Sequence, residues 1–188
     1  MSSTINASTA SGGGVITSAD ASGILQLQTG GTTALTIDAS QNVTLAKGLT
    51  VGASAAPAFS AYQSTLQTIT GGTASVKILF QTEEFDTNNN YSSSRFTPTV
   101  AGYYQVNAAY QTIAATVPDI ELWKNGAVYK YGVYIGAVVS NPIVTGAWVM
   151  YCNGTTDYLE IYGTSSVTGN TNPTSSATYF QAAMIRSA

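Results

Sequence analysis

The chain has no histidine. That removes the side chain most often used as a general base near neutral pH, and the commonest metal ligand with it. Cysteine is almost absent too. The single Cys152 cannot form a disulfide within the chain. With no histidine to activate it, its thiol is expected to be a buried structural group rather than a nucleophile. Charge is scarce: 6 Lys+Arg and 9 Asp+Glu make up 8% of 188 residues, against about 25% in an ordinary soluble domain. Six cations spread along a chain cannot build a basic patch, which argues against nucleic acid and anionic membrane as partners. Met1–Val15 lacks both a basic n-region and an apolar run, so no secretory signal is expected. Gly132–Tyr151 carries no charge over 20 residues. Ser140-Asn141-Pro142 breaks it with a turn, and its halves alternate as strands do, so membrane insertion is not expected.

What is present is apolar and β-forming. Hydrophobic residues make up 44% of the chain, enough for a core. A lone subunit with so little charge would be poorly solvated, so much of its surface is expected to be covered by copies of itself or by a partner. No stretch combines a 3.6-residue period with caps, and no helix is expected.

Three segments follow from composition. Residues 1–14 are Ser/Thr/Gly-rich and nearly uncharged, and read as a flexible anchoring arm. Residues 15–56 read as a β-rich stalk. There, apolar pairs spaced by two (Leu25/Leu27, Leu35/Ile37, Val43/Leu45, Leu49/Val51) alternate with turn signals at Gly30-Gly31, 38–42 and Lys47-Gly48. Such short strands need neighbours to bury their few side chains. Residues 52–57 form a linker ending at Pro57, which opens the segment 57–188. That last segment is a run of β-branched and aromatic strands, expected at 58–63, 75–81, 94–97, 102–113, 119–124, 127–135, 143–152, 157–162 and 178–186. Asn125-Gly126 is its strongest hairpin signal, and Asn153-Gly154 follows another strand in the same way. The pattern predicts an all-β sandwich or barrel.

Along 102–113, Tyr104, Val106, Ala108 and Tyr110 share the face expected in the core. Tyr103, Gln105, Asn107 and Gln111 share the other face, polar yet uncharged. Burying amides costs less than burying ions, so these four are candidates for a subunit interface. Glu83, Glu84 and Asp86, with Asn88–Asn90 following, are weak candidates for an oxygen-ligated cation such as Ca²⁺. Their spacing matches no calcium loop, so a solvated loop with no bound metal or cofactor is expected. Pairs such as Glu83 or Glu84 with Asp86 or Asp157 occur in any chain with nine acids and do not mark a glycosidase. The polar loops 88–94 and 165–172 offer adaptable hydrogen bonding and an aromatic ring. They make Asn89, Asn90, Tyr91, Asn170 and Asn172 candidates for a binding rim toward a glycan or protein.

Two resemblances add to this. Thr17–Val51 resembles the repeats of phage tail-fibre and appendage proteins. Phe85, Asn90, Tyr91, Phe96 with Pro98, Gly102 and Tyr104 resemble the signature of C1q-like domains, which share the tumour-necrosis-factor jelly roll. Pro57–Ala61, Leu122–Gly126, Tyr158–Tyr162 and Tyr179–Ile185 keep the order of that domain's other landmarks. The chain departs from the signature at Val106 and Ala108, where the family has aromatic residues. There Tyr110 or Trp148 is expected to refill the core. The usual Gly-Asp before the penultimate strand is two residues longer, at Gly154–Asp157.

Together these resemblances imply a homotrimeric C1q/TNF-like jelly-roll head on a short β-rich stalk. The expected role is a non-enzymatic virion protein, held to other virion proteins through residues 1–56 and contacting a host-surface glycan or protein. A capsid-decorating trimer is the alternative. A carbohydrate-active enzyme is a third reading that no motif favours.

Overall fold

The computed structural model describes residues 3–7, 15–18, 21–46 and 56–188. The expected turn at Lys47-Gly48, the pair Leu49/Val51, most of the linker 52–57 and most of the arm 1–14 lie outside these residues. The chain divides into two compact units, Met1–Ala53 and Ser54–Ala188. Among the described residues there is no α-helix, and hence none long and apolar enough to cross a membrane.

The first unit contains β1 (Ser3–Ala7), β2 (Val15–Ser18), β3 (Leu25–Thr29), β4 (Thr32–Ile37) and β5 (Val43–Leu45). They form one sheet in the order β2-β1-β3-β4-β5. Gly30 and Gly31, both at positive φ, make the two-residue β3–β4 turn that only such residues close without strain. Asp38 organises the next turn, accepting from the Ser40 and Asn42 backbone N–H groups and from the Asn42 side chain. Ser3–Ala7, expected within a flexible arm, instead pairs parallel with β3. The ladder needs only backbone groups, so a Ser/Thr-rich segment can join it without apolar side chains. No described residue of 21–46 is fully buried, and Val43 is 61% exposed. As the sequence implied, this sheet has no closed core among those residues.

The second unit contains β6 (Ala58–Tyr62), β7 (Thr68–Ile69), β8 (Gly72–Lys77), β9 (Thr82–Asp86), β10 (Tyr91–Ser92) and β11 (Arg95–Phe96). There follow β12 (Gly102–Gln111), β13 (Ala115–Thr116), β14 (Pro118–Lys124), β15 (Ala127–Tyr134) and β16 (Val139–Ser140). The last four are β17 (Ile143–Cys152), β18 (Leu159–Ser165), β19 (Gly169–Asn170) and β20 (Tyr179–Ser187). Two antiparallel sheets face each other, ordered β17-β12-β20-β6-β9 and β10-β11-β18-β14-β15, with β8 also paired to β18. The expected strand at 75–81 runs only to Lys77, and the one at 157–162 is displaced to Leu159–Ser165. Asn125 and Gly126 both take positive φ and close the β14–β15 hairpin with Lys124 opposite Ala127, as that dipeptide predicts.

Between the sheets lies a core rich in rings. Phe59 stacks on Tyr91 and Phe96 at 4.7 and 4.6 Å and meets Phe180 edge-on. Such burial contributes roughly 1.5–3 kcal/mol per large side chain. Tyr104, Val106, Ala108 and Tyr110 all point into it. Ala108 sits opposite Gly146, and the Trp148 indole lies over that glycine, filling the layer where the sequence lacks its aromatic residues. Tyr110 packs elsewhere, against Gly163 of β18, with its hydroxyl on the Asp119 and Thr164 carbonyls. Gly102, one of the signature positions, is needed for close backbone packing at the start of β12. It is buried where the Arg186 carbonyl passes 2.4 Å from the position a Cβ would take. Phe85, matched to the early Phe of the signature, is 52% exposed and outside the core.

Candidate functional site

The fold sorts charge by sheet. Strands β6, β12 and β17 contain no charged residue, and β20 holds only Arg186 near its end. The acids of this sheet are confined to its edge strand β9. The facing sheet carries Lys77, Arg95, Asp119, Glu121, Lys124, Lys130 and Glu160 across β8, β11, β14, β15 and β18.

Strict alternation in β17 turns Ile143, Thr145, Ala147, Val149 and Tyr151 outward. Register places Tyr103 beside Tyr151, Gln105 beside Val149, and Asn107 between Ala147 and Gln181. The Tyr103 and Tyr151 rings lie 5.7 Å apart. Three of the four interface candidates, Tyr103, Gln105 and Asn107, therefore stand on one continuous face, uncharged at its centre, with Arg186 beside Tyr103 and Lys124 and Lys130 at its β17 edge. The fourth, Gln111, is engaged at the sheet end. Its Nε2 donates to the Asn141 carbonyl, and its Oε1 accepts from Asn172.

Beside this face lies a flank built from β15. Nearly every residue of β15 is exposed, with Tyr131 at 68% and Tyr134 at 67%, and Val138 follows in the next loop at 66%. A cleft of about 680 Å³ joins flank to face, lined by Tyr131, Val133, Thr145, Asn107 and Gln181. Trp148 braces the junction by donating its indole N–H to the Tyr131 carbonyl.

The other expected sites are redistributed. Glu83, Glu84 and Asp86 belong to β9, where alternation separates neighbouring side chains. Among the described residues no group of three or more potential metal ligands forms. Glu84 accepts from the Ser60 hydroxyl at 2.5 Å. Asp86 caps its own loop, accepting from the Asn88 and Tyr91 backbone N–H groups. Asn90 and Tyr91 are buried framework rather than rim. The Asn90 side chain clamps Thr99 and the Asn88 carbonyl. The Tyr91 hydroxyl donates to the Phe80 carbonyl at 2.7 Å, and burial pushes that phenol well above its usual pKa. Asn170 pairs with Thr68 between β19 and β7. Asn172 is held by Gln111 and Thr178. Asn89 alone of the five is both exposed and, among the described residues, without a side-chain hydrogen bond.

The charged sheet holds a cluster that sequence reading missed. Glu160 is nearly buried and accepts from Lys77 at 2.7 Å and from Arg95 Nε at 2.9 Å. Burial pushes its carboxyl upward. Hydrogen bonds and charge from Lys77 and Arg95 outweigh that and hold it below the usual carboxylate range. The Arg95 guanidinium also lies over the Tyr158 ring, 3.9 Å from its centroid. No motif could have marked this group, because its members come from three strands distant in sequence. Asp157 pairs with Lys124 at 2.8 Å and accepts from Asn125 and Asn153, fixing the lengthened turn before β18. Cys152 is fully buried, and burial pushes its thiol up to about 11.

Two antiparallel sheets in these strand orders make the second unit a C1q/TNF-like jelly-roll sandwich. Solved structures agree on that fold. The globular domain of zebrafish complement 1qA is 15% identical, covers 70% of this chain and 99% of its own, and superposes with a TM-score of 0.50. Murine APRIL at pH 5.0 gives a TM-score of 0.55 at 6% identity, covering 69% of this chain and 99% of its own. Eiger TNF from S. frugiperda gives 0.51 at 9%, covering 71% and 94%. No protein-family model and no curated protein sequence matches the chain.

Proposed function

We propose that the chain is a non-catalytic structural protein of a bacteriophage virion, a homotrimer whose jelly-roll head contacts the host surface. The observation that carries this reading is the division of charge between the two sheets. A sheet face bearing Tyr103, Gln105, Asn107, Val149 and Tyr151 without one ion among them suits a buried interface, where amides are cheaper to desolvate than ions. The β15 flank is a second, different surface on the same molecule, rich in exposed Tyr and Val and carrying one cation, Lys130. Two unlike patches meeting between copies make a heterologous contact, which gives a ring where the rotation closes. The fold's likeness to C1q and TNF domains supports a ring of three. The charged sheet then faces outward, where it keeps the particle soluble and meets partners.

The phage setting rests on the resemblance of Thr17–Val51 to fibre repeats. A first unit without a fully buried residue in 21–46 supports it, since such a sheet gains from neighbouring chains or virion proteins. Light scattering on the full chain tests the assembly: the expected mass is three times 19.4 kDa. Antibody labelling of virions tests the location. Label at tail appendages supports the host-contact role. Label over the capsid lattice moves the protein to the decorating class, and particles without label refute a virion role.

A further inference from the structure

A second cleft, of about 600 Å³, opens on the charged sheet at the β10–β11 hairpin, lined by Lys77, Asn89, Ser92, Ser93, Arg95 and Thr97. That volume lies within the range of ordinary small-ligand sites. Its polar atoms fall into two sets. One set is framework: the Asn90 side chain holds Thr99, and the Ser94 hydroxyl accepts from the Phe80 N–H. The other set is uncommitted. Among the described residues, the Asn89 amide and the Ser92, Ser93 and Thr97 hydroxyls make no hydrogen bond. Arg95 uses only Nε, so the terminal nitrogens of its guanidinium have no partner there.

The charge of the cleft is small and directed. Lys77 and Arg95 share one carboxylate, Glu160, which leaves one positive charge in excess. Arg95 is held from the side by Glu160 and from below by the Tyr158 ring, so its free edge is oriented before any ligand arrives. A guanidinium edge matches a carboxylate with two parallel hydrogen bonds. One excess charge is too little for a polyanion such as a nucleic acid, whose binding needs many neutralised phosphates. It suits one carboxylate surrounded by neutral hydroxyls, and the uncommitted Asn, Ser and Thr groups are partners for those hydroxyls.

We infer that this cleft binds a carboxylate-bearing sugar residue of a surface polysaccharide, with Arg95 taking the carboxylate and Asn89, Ser92, Ser93 and Thr97 the ring hydroxyls. The inference depends on the host-contact reading for its biological setting, not for its chemistry.

Calorimetric titration of the full chain tests it. The probes are a hyaluronan tetrasaccharide, oligosialic acid, neutral chitotetraose and sodium sulfate, with light scattering on the same samples. One of the two acidic oligosaccharides is expected to bind while chitotetraose does not. Arg95→Gln is expected to weaken binding about tenfold or more, as the loss of a charge-assisted hydrogen bond does. Because Arg95→Gln also removes an ion pair, Asn89→Asp supplies the second test. Asp tolerates the positive φ of 53° at Asn89, leaves Glu160 paired, and puts a negative charge in the cleft. It is expected to abolish acidic-sugar binding with the melting temperature unchanged. Three results would overturn the assignment: neither acidic oligosaccharide binding, sulfate competing as well as the sugar acid, or Asn89→Asp leaving affinity intact. A chain that assembles and adsorbs to cells yet ignores both acids loses the cleft and keeps the role. A chain that binds one of them but is missing from virions keeps the cleft and loses the role.

Discussion

Gly163 is the position at which a single methyl group tests the packing of the sandwich. It sits buried in β18, opposite Ile120, and faces the ring of Tyr110. A Cβ there would lie 2.5 Å from Tyr110 Cε1 and 2.6 Å from both Cζ and Oη. Carbon atoms in contact prefer about 3.5–4.0 Å, so the ring would have to withdraw by roughly 1 Å. It has nowhere free to go. Tyr110 is fully buried, and its hydroxyl sits between the carbonyls of Asp119 at 2.6 Å and Thr164 at 2.7 Å. Withdrawal strains the core by about 1–3 kcal/mol and strands buried polar groups at about 1–3 kcal/mol more. Gly163→Ala is therefore expected to destabilise the head by about 2–6 kcal/mol. Urea unfolding of the full chain at fixed protein concentration measures it, as a lowered midpoint with unchanged slope. On a Tyr110→Leu background the smaller side chain leaves room for the methyl, and the added cost of Gly163→Ala should fall by about 1–3 kcal/mol. A Gly163→Ala protein within about 0.5 kcal/mol of the parent, the range typical of innocuous surface changes, would refute the argument. So would strict additivity of the two substitutions.

Other expectations follow from charge and backbone. Ala147→Glu puts an ion on the uncharged face beside Asn107, where it is solvated in a lone subunit. Folding should be unaffected, while association should weaken by about 2–5 kcal/mol per buried charge, seen as monomers in light scattering. An unchanged trimer would remove that face from the interface. Ser93 sits at φ 52° in a two-residue hairpin turn that favours Asn, so Ser93→Asn should stabilise by a few tenths to about 1 kcal/mol, read as a raised melting temperature. A fall in melting temperature would contradict the strain assigned there. Glu160 and Asp157 have folded pKa values below their ordinary 4.5 and 3.8. Their stabilisation is thus complete above those ordinary values and lost as pH falls through the lower folded ones. Denaturation midpoints should hold from neutrality to about pH 5 and then decline. Glu160→Gln should lower stability at neutral pH and flatten the decline, and a mutant profile parallel to the parent's would count against the ion-pair assignment.

Much of the fold was legible because alternation and turn chemistry are local. The β-branched and aromatic run IVTGAWVMYC was expected as a strand at 143–152 and is β17, although residues apolar on both faces left its outward side unassigned until the burial pattern showed it. Asn125-Gly126 and Gly30-Gly31 name their own hairpins. The errors came where tertiary partners decide. TEEFD reads as a solvated acidic loop, but charge is a common way to protect an edge strand, and β9 is one. Asn90 and Tyr91 look exposed within a run of Asn and Ser. Yet Tyr91 and Phe96 stand symmetrically about Ser93-Ser94, the spacing of a two-residue hairpin, and that signal placed the ring in the core. The Lys77–Glu160–Arg95 cluster joins three strands distant in the chain, so no window of sequence contains it.

The sealed position of Cys152 makes the protein easy to instrument. Its only thiol is out of reach of solvent and almost wholly protonated near neutrality. A cysteine introduced at Asn89 or Ser166 would thus be the sole target for a maleimide dye, giving one fluorophore per subunit without first removing the native residue.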